Sequence, residues 1–339
     1  MRPVRIFAAA TAVVLATALT ACSALASGDQ GAGGSAAAEG GIGSLSIVVP
    51  AEPGGGWDQT GRAMQAAAQT EGLVPSASVT NVGGAGGTVG LANIANSNDP
   101  YTLLVMGLVM VGAVETNQSQ ARIEDTTPIA RLTEEQEIIV VPAGSPYETI
   151  DDLVEDIKAN GKGVTITGGS AGGTDHILAA MLLKAAGVPS ADVATTLNYV
   201  AYSGGGESLA ALLGNNVDAG ISGVGEYAEQ VQAGTLRALA VSGAERDPAL
   251  PDVPTLTEAG YDVELTNWRG VVAPGSIDDE QRAALTELVT SLARSQTWQS
   301  TLEERGWSDA FLAGDEFDAY LTENISEVQS VLQDIGLVQ

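Results

Sequence analysis

One cysteine, one histidine and three lysines are all that 339 residues hold of these types, and each scarcity closes off a class of function. A lone Cys22 allows no intrachain disulfide. With His176 alone and no second thiol, a zinc site of Cys and His ligands cannot be assembled, so neither a metal nor another cofactor is expected. Basic residues number 14 against 42 acidic, a formal charge of −28. The cationic surface that nucleic acid demands is missing, and no nucleic-acid partner is expected. The longest apolar stretch, Ile6 to Leu19, has 14 residues, short of the roughly 20 that cross a bilayer as a helix.

What the N-terminus does contain is ordered like a secretion signal. Arg2 and Arg5 precede the apolar stretch, and small residues follow it. The segment ends Leu19-Thr20-Ala21-Cys22, which resembles a bacterial lipobox, so 1–21 is expected to be removed and Cys22 lipidated. Losing Arg2 and Arg5 leaves 12 basic against 42 acidic residues, or −30. From Ser23 to Gly43 the chain is mostly Gly, Ala and Ser, too poor in apolar surface to order itself, and 22–43 reads as a tether. The membrane is met through the lipid alone.

Nearly 300 residues remain, room for two lobes. Short apolar runs alternate with helical patterns. Strands are expected at Leu45 to Pro50, Ser78 to Asn81, Tyr101 to Met106, Ile138 to Val141, Val164 to Thr167, Thr196 to Val200, Val217 to Ile221, Leu236 to Val241 and Val263 to Pro274. Helices are expected at Asp58 to Thr70, up to Ala95, at Thr174 to Ala186, Glu207 to Leu213 and Tyr227 to Gln232, and through most of Asp278 to Gly336. Such alternation predicts parallel α/β sheets covered on both faces. Crossings near Ile138 to Pro142 and Ala240 to Gly243 give a first lobe of 44–142 and 243–339 and a second of 143–242. That is the two-lobed periplasmic binding-protein fold, type II, with its ligand cleft between the lobes. A single doubly wound enzyme domain with a helical tail satisfies the same pattern.

Four glycine-rich turns each follow an expected strand and precede an expected helix: 53–58 (PGGGWD), 83–88 (GGAGGT), 168–174 (GGSAGGT) and 202–207 (YSGGGE). Glycine lets the backbone take positive φ and approach a ligand closely. A helix start then offers unpaired N–H groups and the positive end of its dipole to an anion. None of the four is a P-loop, since no Lys-Ser or Lys-Thr follows, and none has dinucleotide-binding spacing.

The text around these turns is specific. PGGGWD at Pro53 to Asp58, NVGGAGGTVG at Asn81 to Gly90, YVAYSGGGESLAALLGNNVDAGISG at Tyr199 to Gly223, RALAVSGAERDPALPDVPTLTEAGYDV at Arg237 to Val263 and WRGVVAP at Trp268 to Pro274 stand in order along the chain. In these segments the chain resembles the solute receptors of tripartite tricarboxylate transporters, also called Bug-type receptors. The resemblance implies a binding protein and not an enzyme: a monomer that takes a small carboxylate and passes it to a two-component membrane permease. PGGGWD and the triple glycine after Tyr202 look closest to the branch for citrate-like di- or tricarboxylates. Carried onto this chain, the resemblance implies ligand contacts from Gly54, Gly55, Gly56, Trp57, Asp58 and Gly86, and from Ser170, Thr174, His176, Tyr202, Gly204 and Gly205.

One departure stands out in Trp268-Arg269-Gly270, where many members lack the cation. Arg269 either grips a ligand carboxylate in two-pronged fashion or pairs with a surface acid. His176 either orients its turn or bonds the ligand. Asp58 and Asp175, at expected helix starts, read as N-caps first. Trp57, Trp268 and Tyr202 are candidate cleft walls, and Trp298 and Trp307 candidate core. Two other functions fit the same chain: a lipoprotein that senses a solute and signals to a membrane partner, and a secreted hydrolase. The hydrolase lacks a nucleophile elbow at Ser170.

Overall fold

The computed structural model describes residues 41–202, 205–334 and 336–338. The expected signal segment, Cys22 and the tether as far as residue 40 lie outside the described residues, as do Ser203 and Gly204.

The described chain begins with three strand-to-helix units. In β1 (Leu45–Val49), buried Leu45, Ile47 and Val49 alternate with half-buried Ser46 and Val48, the two-residue period of a strand with one face on a core. It feeds α1 (Gly56–Thr70). Then come β2 (Ala77–Asn81), a 3-10 turn, α2 (Thr88–Ala95), β3 (Thr102–Gly107) and α3 (Leu108–Thr116). All six residues of β3 are buried, as for a strand covered on both faces.

The 17-residue β4 (Thr126–Pro142) leads into the second lobe. There follow α4 (Ile150–Asn160), β5 (Thr165–Gly168), α5 (Thr174–Ala185), α6 (Ser190–Thr196), β6 (Asn198–Ala201), α7 (Gly205–Leu213), β7 (Ala219–Gly223), α8 (Val224–Gln232) and β8 (Leu236–Val241). The chain returns through β9 (Thr266–Pro274) and ends in α9 (Asp279–Ala293), α10 (Gln296–Arg305), β10 (Ser308–Ala313) and α11 (Asp315–Asp334).

Both lobes share β4. The first sheet runs β2-β1-β3-β9-β4, with β10 also on β4; the second sets β8 and β7 on β4, then β5 and β6. The sheets are mixed where parallel ones were expected: β9 runs antiparallel to β3 and β4, and β4 runs antiparallel to β7, β8 and β10. A strand that serves two sheets arrives in the second against the direction of that sheet's own βαβ units.

The change of sheet falls between Gln136, opposite Thr266, and Glu137, opposite Gly223. It precedes the expected crossing at Ile138. Buried Ser242 ties the crossings together: its hydroxyl accepts from the Glu137 N–H (2.9 Å) and donates to the Leu265 carbonyl (2.5 Å), and its own N–H donates to the Glu137 carbonyl (2.9 Å). Residues 243–265 pack Leu250 and Val253 with Ile138, Leu212 and Tyr227 of the second lobe, so the return to the first sheet starts at Thr266, not at 243.

Cores lie on both faces of each sheet. Leu45, Ile47, Val105, Val271, Leu292 and Trp298 fill one face of the first. Met106, Trp268, Phe317, Ile139 and Ile177 belong to a cluster running through both lobes.

Candidate functional site

How the helices start locates the site. Side chains cap α9 and α10 through Asp278 and Ser295, and Thr149 caps α4, each accepting an N–H of its first turn. By contrast α1, α2, α3, α5 and α8 start after Gly55, Gly87, Gly107, Gly173 and Gly223, with no side-chain cap on any of the five. Four of these follow β1, β3, β5 and β7 directly, at the carboxyl ends where α/β folds bind ligands. Their first-turn N–H groups are not met by the residue at the cap position, although in α8 the Gly225 N–H is taken by Glu135 from β4.

Close contacts bring these ends together. A Cβ on Gly87 would stand 2.9 Å from the Trp57 ring, and one on Gly107 3.4 Å from Trp57 Nε1, so Trp57 is wedged among the starts of α1, α2 and α3. A Cβ on Gly112 of α3 would lie 1.9 Å from the Gly172 carbonyl oxygen, across the cleft in the second lobe. Gly86, at φ 62°, sits against Ala113. Behind the first turn, Gly56 rests on the Arg269 guanidinium.

Asp58 is not the N-cap that the sequence suggests; it is the third helical residue, and Gly55 holds the cap position. Its carboxylate reaches back to accept the Gly54 N–H (2.9 Å) and also takes Arg62 Nε and Asn81 Nδ2 (2.9 Å each). Burial pushes its pKa up, but those three hydrogen bonds outweigh it and hold Asp58 below the usual carboxylate range. Asp58 shapes the turn. Gly54, at φ 104°, takes a backbone geometry that a side chain strains.

In the second lobe, the Gly172 N–H donates to His176 Nδ1 (3.2 Å), and the imidazole stacks on Tyr199 with centroids 4.2 Å apart. Tyr199 Oη donates to the Gly169 carbonyl (2.9 Å), while the Gly169 N–H donates to Asp175. Burial lowers the His176 pKa to about 4, so the ring is neutral and its Nδ1 is an acceptor. Ser170, half-buried, offers its carbonyl to the Gly173 N–H (2.9 Å). Thr174 is buried and its hydroxyl has no hydrogen-bond partner among the described residues. Half-buried Tyr202 packs with the core of the second lobe, and Gly205 lies beneath Glu226 and Ser222. Gly204 lies outside the described residues.

Strand alternation sends Trp268 and Arg269 to opposite faces. Trp268 is no cleft wall: it is 1 % exposed, edge-on to Phe317 and Tyr320, and donates to Asn324 Oδ1 (3.0 Å). Arg269 points the other way, toward the turn before α1. Its partner is not a surface acid but Glu135, at 2.7 Å, with both side chains nearly fully buried. The second oxygen of Glu135 accepts the Gly225 N–H at the start of α8 (2.8 Å), so one carboxylate bridges β9 and the second lobe. The Arg269 guanidinium also lies 5.1 Å over Trp307.

Around this pair stand acids of which the sequence pattern singles out only Asp175. Glu137 is fully buried, and its carboxyl meets that of Asp175, a contact between two acceptors unless one holds a proton. Burial, then the charges of Asp175, Glu135 and Glu226, push Glu137 well above the usual range, with Arg269 only partly countering. Glu226, exposed at the rim, accepts from Ser222 Oγ (2.5 Å). The site therefore combines open helix starts at its walls with an acidic floor that holds one guanidinium. A surface groove runs elsewhere, along α11 past Met181 and Val331.

Known proteins resemble this chain in sequence and in fold. Residues 62–337 match the model of the tripartite tricarboxylate transporter family receptor. A protein encoded in the TAR-I ttuE-ttuC' intergenic region of Agrobacterium vitis is 32% identical over 247 residues, 72% of this chain and 69% of that one. Among solved structures, MatC from Rhodopseudomonas palustris with bound malate is 23% identical, covering 87% of this chain and 99% of its own, with a TM-score of 0.69. A second R. palustris protein, with adipate, is 21% identical over 86% of this chain and 97% of its own, with a TM-score of 0.74.

Proposed function

Because this chain belongs to the tripartite tricarboxylate transporter receptor family, we propose that it captures a small di- or tricarboxylate, citrate-like in kind, for a two-component membrane permease. The family consists of solute-binding receptors that act outside the cytoplasm. The observation that carries the reading is the set of five glycine-started helices without side-chain caps. A carboxylate seated there is met by N–H groups that already carry partial positive charge, and needs few cationic side chains. In a chain of −28 this is how an anion finds a favourable site. The malate and adipate in two structural neighbours support the same ligand class.

In this proposal the protein works as a monomer held at the membrane by lipidated Cys22, with 22–43 as its tether, and no helix among the described residues is long and apolar enough to cross a membrane. The direct test is thermal unfolding with citrate, malate, succinate and adipate beside sugars and simple amines. A ligand at 100 times its Kd stabilises the folded state by about 2.7 kcal/mol, a readily measured shift. Stabilisation by sugars or amines alone overturns the carboxylate reading. Palmitate labelling of cells that produce the chain, lost in Cys22→Ala, tests the anchor.

A further inference from the structure

Among the described residues, two buried side chains of opposite sign in the floor of the cleft carry polar atoms without a hydrogen-bond partner. Arg269 is 6% exposed; its Nη2 is committed to Glu135, and its Nη1 has no hydrogen-bond partner. Glu137 is fully buried, and apart from its contact with Asp175 neither carboxyl oxygen has a partner. Leaving such groups open is costly, more so when they are charged, and a ligand or ordered water must complete them.

Apart from the open Arg269 nitrogen and the Thr174 hydroxyl, the side-chain donors near Glu137 are spent among the described residues. Tyr199 Oη serves the Gly169 carbonyl, Ser222 Oγ serves Glu226, and Ser208 and Tyr227 bond each other. Lys158 and Lys184 pair with Glu155 and Asp334, outside the floor. Meanwhile Glu137 feels the charges of Asp175, Glu135 and Glu226 against that of one guanidinium, itself paired with Glu135. An acid with no positive group of its own adds charge of the sign already in excess. An ammonium supplies three N–H donors, and its charge favours release of the proton that the Glu137 and Asp175 carboxyls share.

We infer that the acid this receptor takes carries an amino group: an amino di-acid, its ammonium against Glu137 and a carboxylate on the open nitrogen of Arg269. The inference rests on the carboxylate reading above and narrows it. The remaining carboxylate is left to the helix starts of α1 and α5.

Calorimetric titration of the purified protein with matched pairs tests it: L-aspartate beside succinate, and L-glutamate beside glutarate, with citrate as the amine-free tricarboxylate. At least one amino acid of a pair should bind tenfold or more tighter than its amine-free partner. In Glu137→Gln that preference should fall to within about threefold, with the amine-free acid bound no more weakly than in the wild type, since a neutral amide no longer rewards an ammonium. Glu226→Gln, at an exposed position, should reduce the preference in the same direction and keeps the measurement available if Glu137→Gln does not fold. Amine-free acids bound as tightly as their amino partners overturn this inference and leave the carboxylate reading standing. No binding by any of the five acids overturns both.

Discussion

Arg269 and Glu135 form a buried ion pair, 2.7 Å apart and 7% and 6% exposed, between the returning strand β9 and the shared strand β4. Removing one member of a buried pair strands the other charge, at a cost of about 3–5 kcal/mol, whereas replacing both with apolar residues of similar size is often neutral or better. Arg269→Ala should therefore lower the denaturation free energy by that amount. The double variant Arg269→Met/Glu135→Leu should recover most of it, and neither should bind the ligand. Denaturant melts with calorimetry check this. A double variant that binds as the wild type does takes the pair out of the site.

Gly112 reports on the closed cleft. A side chain there meets the Gly172 carbonyl of the opposite lobe, 1.9 Å from its oxygen and 3.1 Å from its carbon, with Ile177 Cδ1 at 3.6 Å. Within α3 itself alanine is favoured over glycine by up to about 1 kcal/mol. Gly112→Ala should thus leave unliganded stability unchanged or raised while weakening binding tenfold or more. Small-angle scattering should show that ligand no longer compacts the variant. Wild-type affinity in Gly112→Ala means that binding does not require this contact.

Much of this architecture can be read in the sequence. Strand, glycine turn and helix follow one another in the residues themselves, so β1, β2, β5, α5, β8 and the first three turns fall close to where periodicity places them. The floor could not be read that way. Glu135 and Glu137 alternate in TEEQEIIVVP as solvent-facing residues of a half-exposed strand do, and only β7 and β9, arriving from far along the chain, bury them. Arg269 is conspicuous as a charge in an apolar strand, but nothing local names Glu135 as its partner. α3, LVMVGAVET, is apolar nearly all round and carries no helical period to separate it from β3. β10 exists because the edge of β4 is open to it, a fact of the fold and not of its own residues.

The Glu137 and Asp175 carboxyls set a pH dependence whose sign follows from burial. Burial raises both; for Glu137 the charges of Asp175, Glu135 and Glu226 add to this and Arg269 opposes it, and for Asp175 the Gly169 N–H and the Glu137 carboxyl oppose it while the charge of Glu226 adds. The folded protein then keeps protons that the unfolded chain releases above about pH 4, so stability is highest at low pH and falls as pH rises through the raised values. His176 works the other way: held down at about 4 by burial, it removes stability as pH falls below its unfolded value. Above about pH 7 the histidine is neutral in both states, and the loss, up to about 1.4 kcal/mol per pH unit for each carboxyl still protonated, belongs to the pair. Tyr199 and Tyr227, also raised by burial, do not titrate in that range. Denaturation between about pH 7 and 8.5 should show a falling free energy in the wild type and a shallower fall in Glu137→Gln. A flat wild-type profile counts against a shared proton.

Asp58 separates support of the binding turn from contact with the ligand. Its carboxylate is filled by the Gly54 N–H, Asn81 and Arg62, so its role is structural, to hold the glycine turn whose N–H groups face the cleft. The Arg62 arm is half-exposed and contributes little, so the Gly54 and Asn81 bonds carry most of the effect. Asp58→Ala should cost about 1–3 kcal/mol of stability, the range for hydrogen bonds to a charged group, and weaken binding because the turn loosens. Asp58→Asn has a single side-chain acceptor for those two bonds, so it should fall between alanine and wild type in both stability and affinity. If Asp58 instead bound ligand through its charge, asparagine would lose affinity as fully as alanine while keeping more of the stability. Melting curves and titrations of the two variants side by side decide between support and contact.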